Sequence, residues 1–226
     1  IFRDYDIRGR SAQISPQLAH AIGQAIGAEA LDRQCASIMV GADGRDSSPR
    51  LREQLVKGLL STGIDVIDTG IVAGETLRGA GILRLRERIE HALFREGQGS
   101  YRVTEIDADY IKAVADDVLV DGRHKVVIDC GNGAASVIAE DLFRELGCDV
   151  VPLFCELDSR FPNHHPDPAV PENLQALIAK VAETGAALGI AFDGDADRIG
   201  VVSASGSIVT ADRLMMLLVR EVLASH

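Results

Sequence analysis

The sequence predicts an α/β protein of two similar units, each with a mostly parallel sheet, the first unit incomplete. Two observations carry this. Short apolar runs of strand length alternate with helix-period stripes, the pattern of βαβ units. The composition is ordinary for a packed globular chain: 226 residues, 46% hydrophobic and 25% charged, enough to bury a core without staples.

In the first half, Ser15-Pro16 reads as a helix cap followed by proline at the first helical position, with Leu18, Ala21, Ile22, Ala25 and Ile26 as the apolar stripe. Residues 37–42 read as a buried strand. Ser48-Pro49 opens a second helix carrying Leu51, Leu55, Val56, Leu59 and Leu60. A strand over 64–68 follows, then a charged helix over 78–95. Gly97-Gln98-Gly99-Ser100 reads as a flexible joint, and the domain boundary is expected at 104/105, giving units 1–104 and 105–226. Two strands in about 105 residues are few for a helix-covered parallel sheet, and Gly70-Ile71-Val72 runs directly into Ala73-Gly74-Glu75-Thr76-Leu77, where a sheet-completing segment is missing.

The second half is more regular. It reads as a helix near 107–118, a strand over 125–129, a helix from Asn132-Gly133 to about Leu146 stopped by Gly147, and a strand over 149–154. A proline-rich loop, a helix from about Pro171 to Glu183 and a strand over 187–192 follow. The chain then gives a hairpin (199–203 and 207–210) around Ser205-Gly206 and a final helix whose Met215 and Met216 are read as core.

Lys and Arg total 23 against 34 Asp and Glu, a net charge of −11. That argues against nucleic acid or an anionic membrane as the main partner, and requires an anionic substrate to be held by locally placed Arg, Lys or metal. No apolar run reaches membrane-spanning length and no signal pattern follows Ile1, so the expectation is a cytoplasmic protein whose translated start lies upstream. Cys35, Cys130, Cys148 and Cys155 form no C-x-x-C pair and are read as four buried, reduced thiols rather than a disulfide or zinc site.

Chemistry concentrates in Asp193-Gly194-Asp195-Ala196-Asp197-Arg198, directly after an apolar strand. Three carboxylates at i, i+2 and i+4 with small residues between them converge on one hard cation, and Mg²⁺ is the ion that combines carboxylates with phosphate. The alternatives are a solvated acidic turn and an aspartyl-phosphatase loop, although that loop carries Thr where Asp197 stands. An EF-hand is excluded, because its Gly and Glu positions are Arg198 and Ala204. Two weaker features are Phe2-Arg3-Asp4-Tyr5-Asp6-Ile7-Arg8-Gly9 and the strand-to-helix turn Gly44-Arg45-Asp46, which offers a helix N-terminus with an arginine beside it. His164-His165, set among prolines, is read as structural rather than metal-binding. Gly131-Asn132-Gly133 is read as a tight turn rather than a dinucleotide site, since the third glycine is out of register.

Together and in this order, the Phe2–Gly9 stretch, the Gly44–Asp46 turn and the Asp193–Arg198 loop resemble the α-D-phosphohexomutase family, with Ala196 where the family usually has Gly. Phe161–Pro168 and Val127–Gly133 resemble loops of its bacterial phosphomannomutase/phosphoglucomutase branch. The resemblance implies two three-layer α/β/α units, the family's first and second domains. It implies interconversion of the 1- and 6-phosphates of mannose or glucose through a phosphoserine and a hexose 1,6-bisphosphate, which also serves as activator. It implies one Mg²⁺ held by Asp193, Asp195 and Asp197, catalytic positions at Tyr5, Arg8 and Arg198, and a phosphate-side position at Arg45. The family's serine loop, T-A-S-H-N-P or similar, has no counterpart here, nor do its third and fourth domains. The expectation is therefore a chain without mutase turnover, with a metal-binding relic and an aspartyl-phosphate phosphatase as rivals.

Overall fold

The computed structural model describes residues 1, 2, 7, 9, 10, 13–72 and 82–224. The chain divides into two compact units, Ile1–Ile106 and Asp107–His226. Among the described residues no helix is long and apolar enough to cross a membrane.

The first unit holds α1 (Pro16–Asp32), β1 (Ser37–Ala42), α2 (Ser48–Leu60), β2 (Asp65–Ile71), α3 (Ile82–Glu90) and β3 (Tyr101–Val103). Ser15 caps α1 by accepting the Leu18 N–H at 3.1 Å, with Pro16 at the first position. Helices α1 and α2 cross closely. A Cβ on Gly58 would lie 2.1 Å from the His20 carbonyl oxygen, so only glycine permits this crossing. The strands are parallel in the order β1-β2-β3. Val40, Val56, Leu59, Ile64 and Val66 form the core between sheet and helices, whereas Met39, on the opposite face of β1, is exposed.

Three readings change here. The charged helix is shorter than 78–95 within the described residues: α3 ends at Glu90, and Ala92 has φ +50. The Gly97–Ser100 stretch lies within the first unit. Its Gly97 and Gly99 N–H groups donate to Ser61 and Leu60 carbonyls at 2.9 Å, and the chain continues into β3. The thiols are not all buried either. Cys35, in the turn after α1, is exposed, and Cys148 and Cys155 are half-buried.

The second unit holds α4 (Asp107–Asp117), β4 (Lys125–Asp129), α5 (Ala139–Glu145), β5 (Asp149–Leu153), α6 (Gln175–Thr184), β6 (Leu188–Phe192), β7 (Ile199–Ser203), β8 (Ile208–Val209) and α7 (Ala211–Ala224). The helix expected from Asn132 is a 3-10 turn, Ala134–Val137, followed by the short α5, and the helix expected from Pro171 begins as another 3-10 turn, Pro171–Leu174. Sheet order is β5-β4-β6-β7-β8, with β4, β5 and β6 parallel and β7 and β8 antiparallel. Alternation along β4 sends Val127 toward α6, with Leu177 and Val181, and sends Val126 and Ile128 toward α5, with Ala139 and Phe143. The sheet is thus covered on both faces, as a parallel sheet requires. Met215 and Met216 are exposed rather than core, because the described side chains of α7 find no apolar cover.

Candidate metal centre

The parallel strands β4, β5 and β6 deliver their C-terminal ends to one edge of the second unit, the edge where open α/β sheets place their ligands. Residues 193–198 form the turn that reverses β6 into β7, and Phe192 pairs with Ile199 across its base. The Asp193 N–H donates to the Arg198 carbonyl at 3.2 Å and the Ala196 N–H to the Asp193 carbonyl at 3.1 Å. Ala196 has φ +63, a left-handed conformation that explains why glycine suits this position.

This turn gathers the three carboxylates. Asp193, Asp195 and Asp197 each offer an oxygen within 4.8 Å of the others, and they run from buried through half-buried to exposed. Opposite ligands of octahedral Mg²⁺ stand about 4.1 Å apart, so the donor set fits a hard divalent cation with a closure under ~1 Å. Arg198 is the positive charge already present. Its backbone N–H donates to Asp193 Oδ1 at 3.0 Å, and its Nε and terminal nitrogen reach Asp193 Oδ2 at 2.8 and 2.7 Å. It also pairs with Asp167 at 3.4 Å and Asp197 at 3.5 Å. Burial pushes the Asp193 carboxyl up. The Arg198 N–H, the Asp195 side chain and the Arg198 guanidinium together outweigh burial and hold it below the ordinary value. The hydrogen bond to Asp193 raises Arg198 in turn, against burial.

The neighbouring strand ends hold the loop. The Ala134 N–H donates to the Gly194 carbonyl at 3.0 Å, and a Cβ on Gly133 would lie 2.9 Å from that oxygen. Asp129, fully buried at the tip of β4, accepts the Gly131 N–H at 2.9 Å and faces His164 Nε2 at 3.1 Å. Burial raises the Asp129 carboxyl, and the Gly131 N–H and His164 only partly offset it. Asn132 donates to the Glu156 carbonyl at 2.6 Å and accepts from Asn163 at 2.8 Å. His164 therefore braces a loop, and His165 stacks edge-on against Phe161.

Of the residues singled out from the sequence, the structure brings together Asp193, Asp195, Asp197 and Arg198. Arg45 lies in the first unit, exposed in the turn before α2, where it pairs with Asp43 at 3.3 Å. Tyr5 and Arg8 lie outside the described residues, as does Gly74–Leu77. The tight turn at Gly131–Gly133 and the structural role of His164 hold, but sequence reading missed Asp167 and the partners, Gly194 and Asp129, that Gly133 and His164 meet. Asp167 stands 31 residues from Arg198, and no local spacing signals that contact. In the first unit it missed Asp68, a buried carboxylate in the middle of β2. Asp68 accepts from the Tyr101 hydroxyl at 2.6 Å and the Gly70 N–H at 2.9 Å and pairs with Arg52 at 3.4 Å.

Two family models match the chain: phosphoglucomutase/phosphomannomutase alpha/beta/alpha domain I over residues 1–80 and domain II over residues 108–206. A phosphomannomutase/phosphoglucomutase of Pseudomonas putida is 44% identical over all of this chain and 57% of its own length. A phosphoglucomutase of Neisseria meningitidis serogroup B is 36% identical over 99% of this chain and 57% of its own. Among solved structures, a phosphoglucomutase/phosphomannomutase family protein of Burkholderia thailandensis superposes with a TM-score of 0.91 at 37% identity, over 100% of this chain and 59% of its own. Two α/β units, the second with an acidic turn after a parallel strand, define the class by its fold and site geometry: an α/β protein with a candidate cation site at a strand end. Within that class the chain belongs to the α-D-phosphohexomutase family. It spans little more than half the length of the curated relatives it matches. The P. putida alignment runs over 263 positions against a chain of 226, so at least 37 positions of that relative have no counterpart within the matched stretch.

Proposed function

We propose that this chain is the metal-binding part of a hexose-phosphate mutase, acting on the 1- and 6-phosphates of mannose or glucose. The observation that carries the reading is the three carboxylates of the Asp193–Asp197 turn, converged on one point in a stretch matched by the family's domain II. One Mg²⁺ held there by Asp193, Asp195 and Asp197 would offset the charge that spreads over a transferred phosphoryl group.

Arg198, more than half exposed at its side chain, has donors left to face a phosphate oxygen beside that ion. Asp167 and Asp193 hold its guanidinium in place, so the cation is positioned before substrate arrives. By their motif positions Tyr5 and Arg8 are assigned to catalysis and Arg45 to the phosphate side. A hexose 1,6-bisphosphate fits as activator for the same reason.

The nucleophile is a different matter. The serine loop has no counterpart in the sequence. Ser48 Oγ is spent on Asp43, and Ser61 Oγ donates to the Gly58 carbonyl at 2.7 Å. Phosphoryl transfer draws nearly all of its acceleration from positioning around an in-line nucleophile. The 226-residue chain is therefore expected to show no mutase turnover. An aspartyl-phosphate mechanism is disfavoured because Arg198 engages both oxygens of Asp193.

The test is a coupled conversion of glucose or mannose 1-phosphate to the 6-phosphate, with Mg²⁺ and hexose 1,6-bisphosphate. A rate equal to the blank is expected. Turnover that disappears in Asp195→Asn would refute the assignment of a missing nucleophile.

A further inference from the structure

The ends of β4 and β5 bring two cysteines together that the metal centre does not use. Cys155 Sγ lies 3.2 Å from Cys130 Sγ, though 25 residues separate them in sequence. The backbone fixes this pairing. Asp129 is in register with Leu153, the Cys130 N–H donates to the Leu153 carbonyl at 3.1 Å, and the Asn132 N–H donates to the Phe154 carbonyl at 2.8 Å. The two thiols also differ in access. Cys130 is fully buried, whereas Cys155 is half-buried.

We infer that Cys130 and Cys155 are a redox-modification site, a dithiol that closes reversibly to an intramolecular disulfide when a peroxide reaches Cys155. A disulfide needs its sulfurs at about 2.05 Å, so closure asks for about 1 Å of side-chain movement between backbones already held side by side.

The chemistry has an order. The Cys130 hydrogen bond draws the Cys155 thiol down, against its burial, and Cys130 itself is pushed up by that same bond and by burial. Cys155 is thus the sulfur that ionises and attacks. Its thiolate attacks one peroxide oxygen, the O–O bond breaks, and the hydroxide released takes up the thiol proton as water. Cys155 is left as a sulfenic acid, with the peroxide reduced. Cys130 then attacks the Cys155 sulfur, the S–O bond breaks, and a second water leaves with the Cys130 proton. Two thiols and one peroxide become one disulfide and two waters.

The bond would tie β4 to β5 at the edge of the sheet that carries the metal turn. The site rests on the two sulfurs alone and does not depend on the chain being a mutase.

The experiment treats the reduced full chain with hydrogen peroxide, blocks remaining thiols by alkylation, and reads intact mass and a non-reducing peptide map. The expected result is one cross-linked peptide pair joining Cys130 to Cys155, two hydrogens lighter than the two reduced peptides together, and complete reversal of that link by dithiothreitol. In Cys130→Ser the link is lost, and Cys155 is trapped as sulfenic acid by dimedone. Exposed Cys35 reports that the oxidant was active. If Cys35 is consumed while Cys155 stays a thiol, or passes to sulfinic acid with no link to Cys130, the inference is overturned. The parent's peptide map decides this even if the serine variant does not fold.

Discussion

Gly133→Ala probes the support of the metal turn. The backbone at Gly133 has φ −88 and ψ −168, which alanine adopts without strain. The new methyl, however, would lie 2.9 Å from the Gly194 oxygen, 3.0 Å from the Gly194 Cα and 3.2 Å from the Asp193 oxygen. All three are backbone atoms of the metal turn, so the turn itself must retreat by a few tenths of an ångström. Such overpacking costs ~1–3 kcal/mol. Restricting the unfolded chain returns ~0.4–1 kcal/mol. The net loss of ~1–2 kcal/mol should lower the Tm of the second unit by roughly 3–10 °C. Displacing the residues beside the ligands should also weaken Mn²⁺ binding by about tenfold. Calorimetric melting and Mn²⁺ titration read both effects. Gly147→Ala is the control. There φ is +84 and nothing lies within 4 Å, so stability should fall while metal affinity holds. A Gly133→Ala protein with the parent's Tm and affinity would refute the claim that this glycine seats the turn.

Three further outcomes follow from the structure. Burial raises the Asp129 carboxyl, so ionising it is harder in the folded chain, and that stability is present below the ordinary carboxylate pKa and lost as pH rises through the folded value. Asp129→Asn should therefore gain stability relative to the parent as pH climbs from acid to neutral, and denaturant midpoints that run parallel across that range would count against it. Arg88 joins α3 to α1 through Glu29 at 3.1 Å, and Glu29 is 12% exposed, so Arg88→Ala should cost ~1–2 kcal/mol in urea unfolding, with a difference near zero as the contrary result. Ala196→Gly relieves a left-handed alanine at φ +63 and should stabilise the second unit by up to ~1 kcal/mol without weakening metal binding, whereas a drop in Tm would oppose this.

The acidic turn was legible because its signal is local. Three aspartates at alternate positions after an apolar strand need no distant partner to be recognised, and the cap at Ser15-Pro16 and the alternation of strands and helices are local in the same way. What holds the turn was not legible. Asp167 and Gly133 reach it across 31 or more residues, through a sheet order that spacing does not disclose. β3 was missed because three exposed residues after a glycine-rich stretch carry no strand signal of their own, and β2 supplies the edge that orders them. Ser48-Pro49 does open α2, but Ser47 makes no side-chain cap and the Ser48 hydroxyl turns back to Asp43. Burial was over-assigned at Met215 and Met216, since an apolar residue on a helix signals a face and not the element that covers it.

The central claim is that Asp193, Asp195 and Asp197 together form a cation site. Calorimetric titration of Mn²⁺ into the full chain, into Asp195→Asn and into Asp197→Asn, each checked for fold by circular dichroism, tests it most directly. One weak site is expected in the parent, with at least a tenfold loss of affinity in each variant. Equal binding by all three folded proteins would contradict it and leave the turn an acidic surface loop.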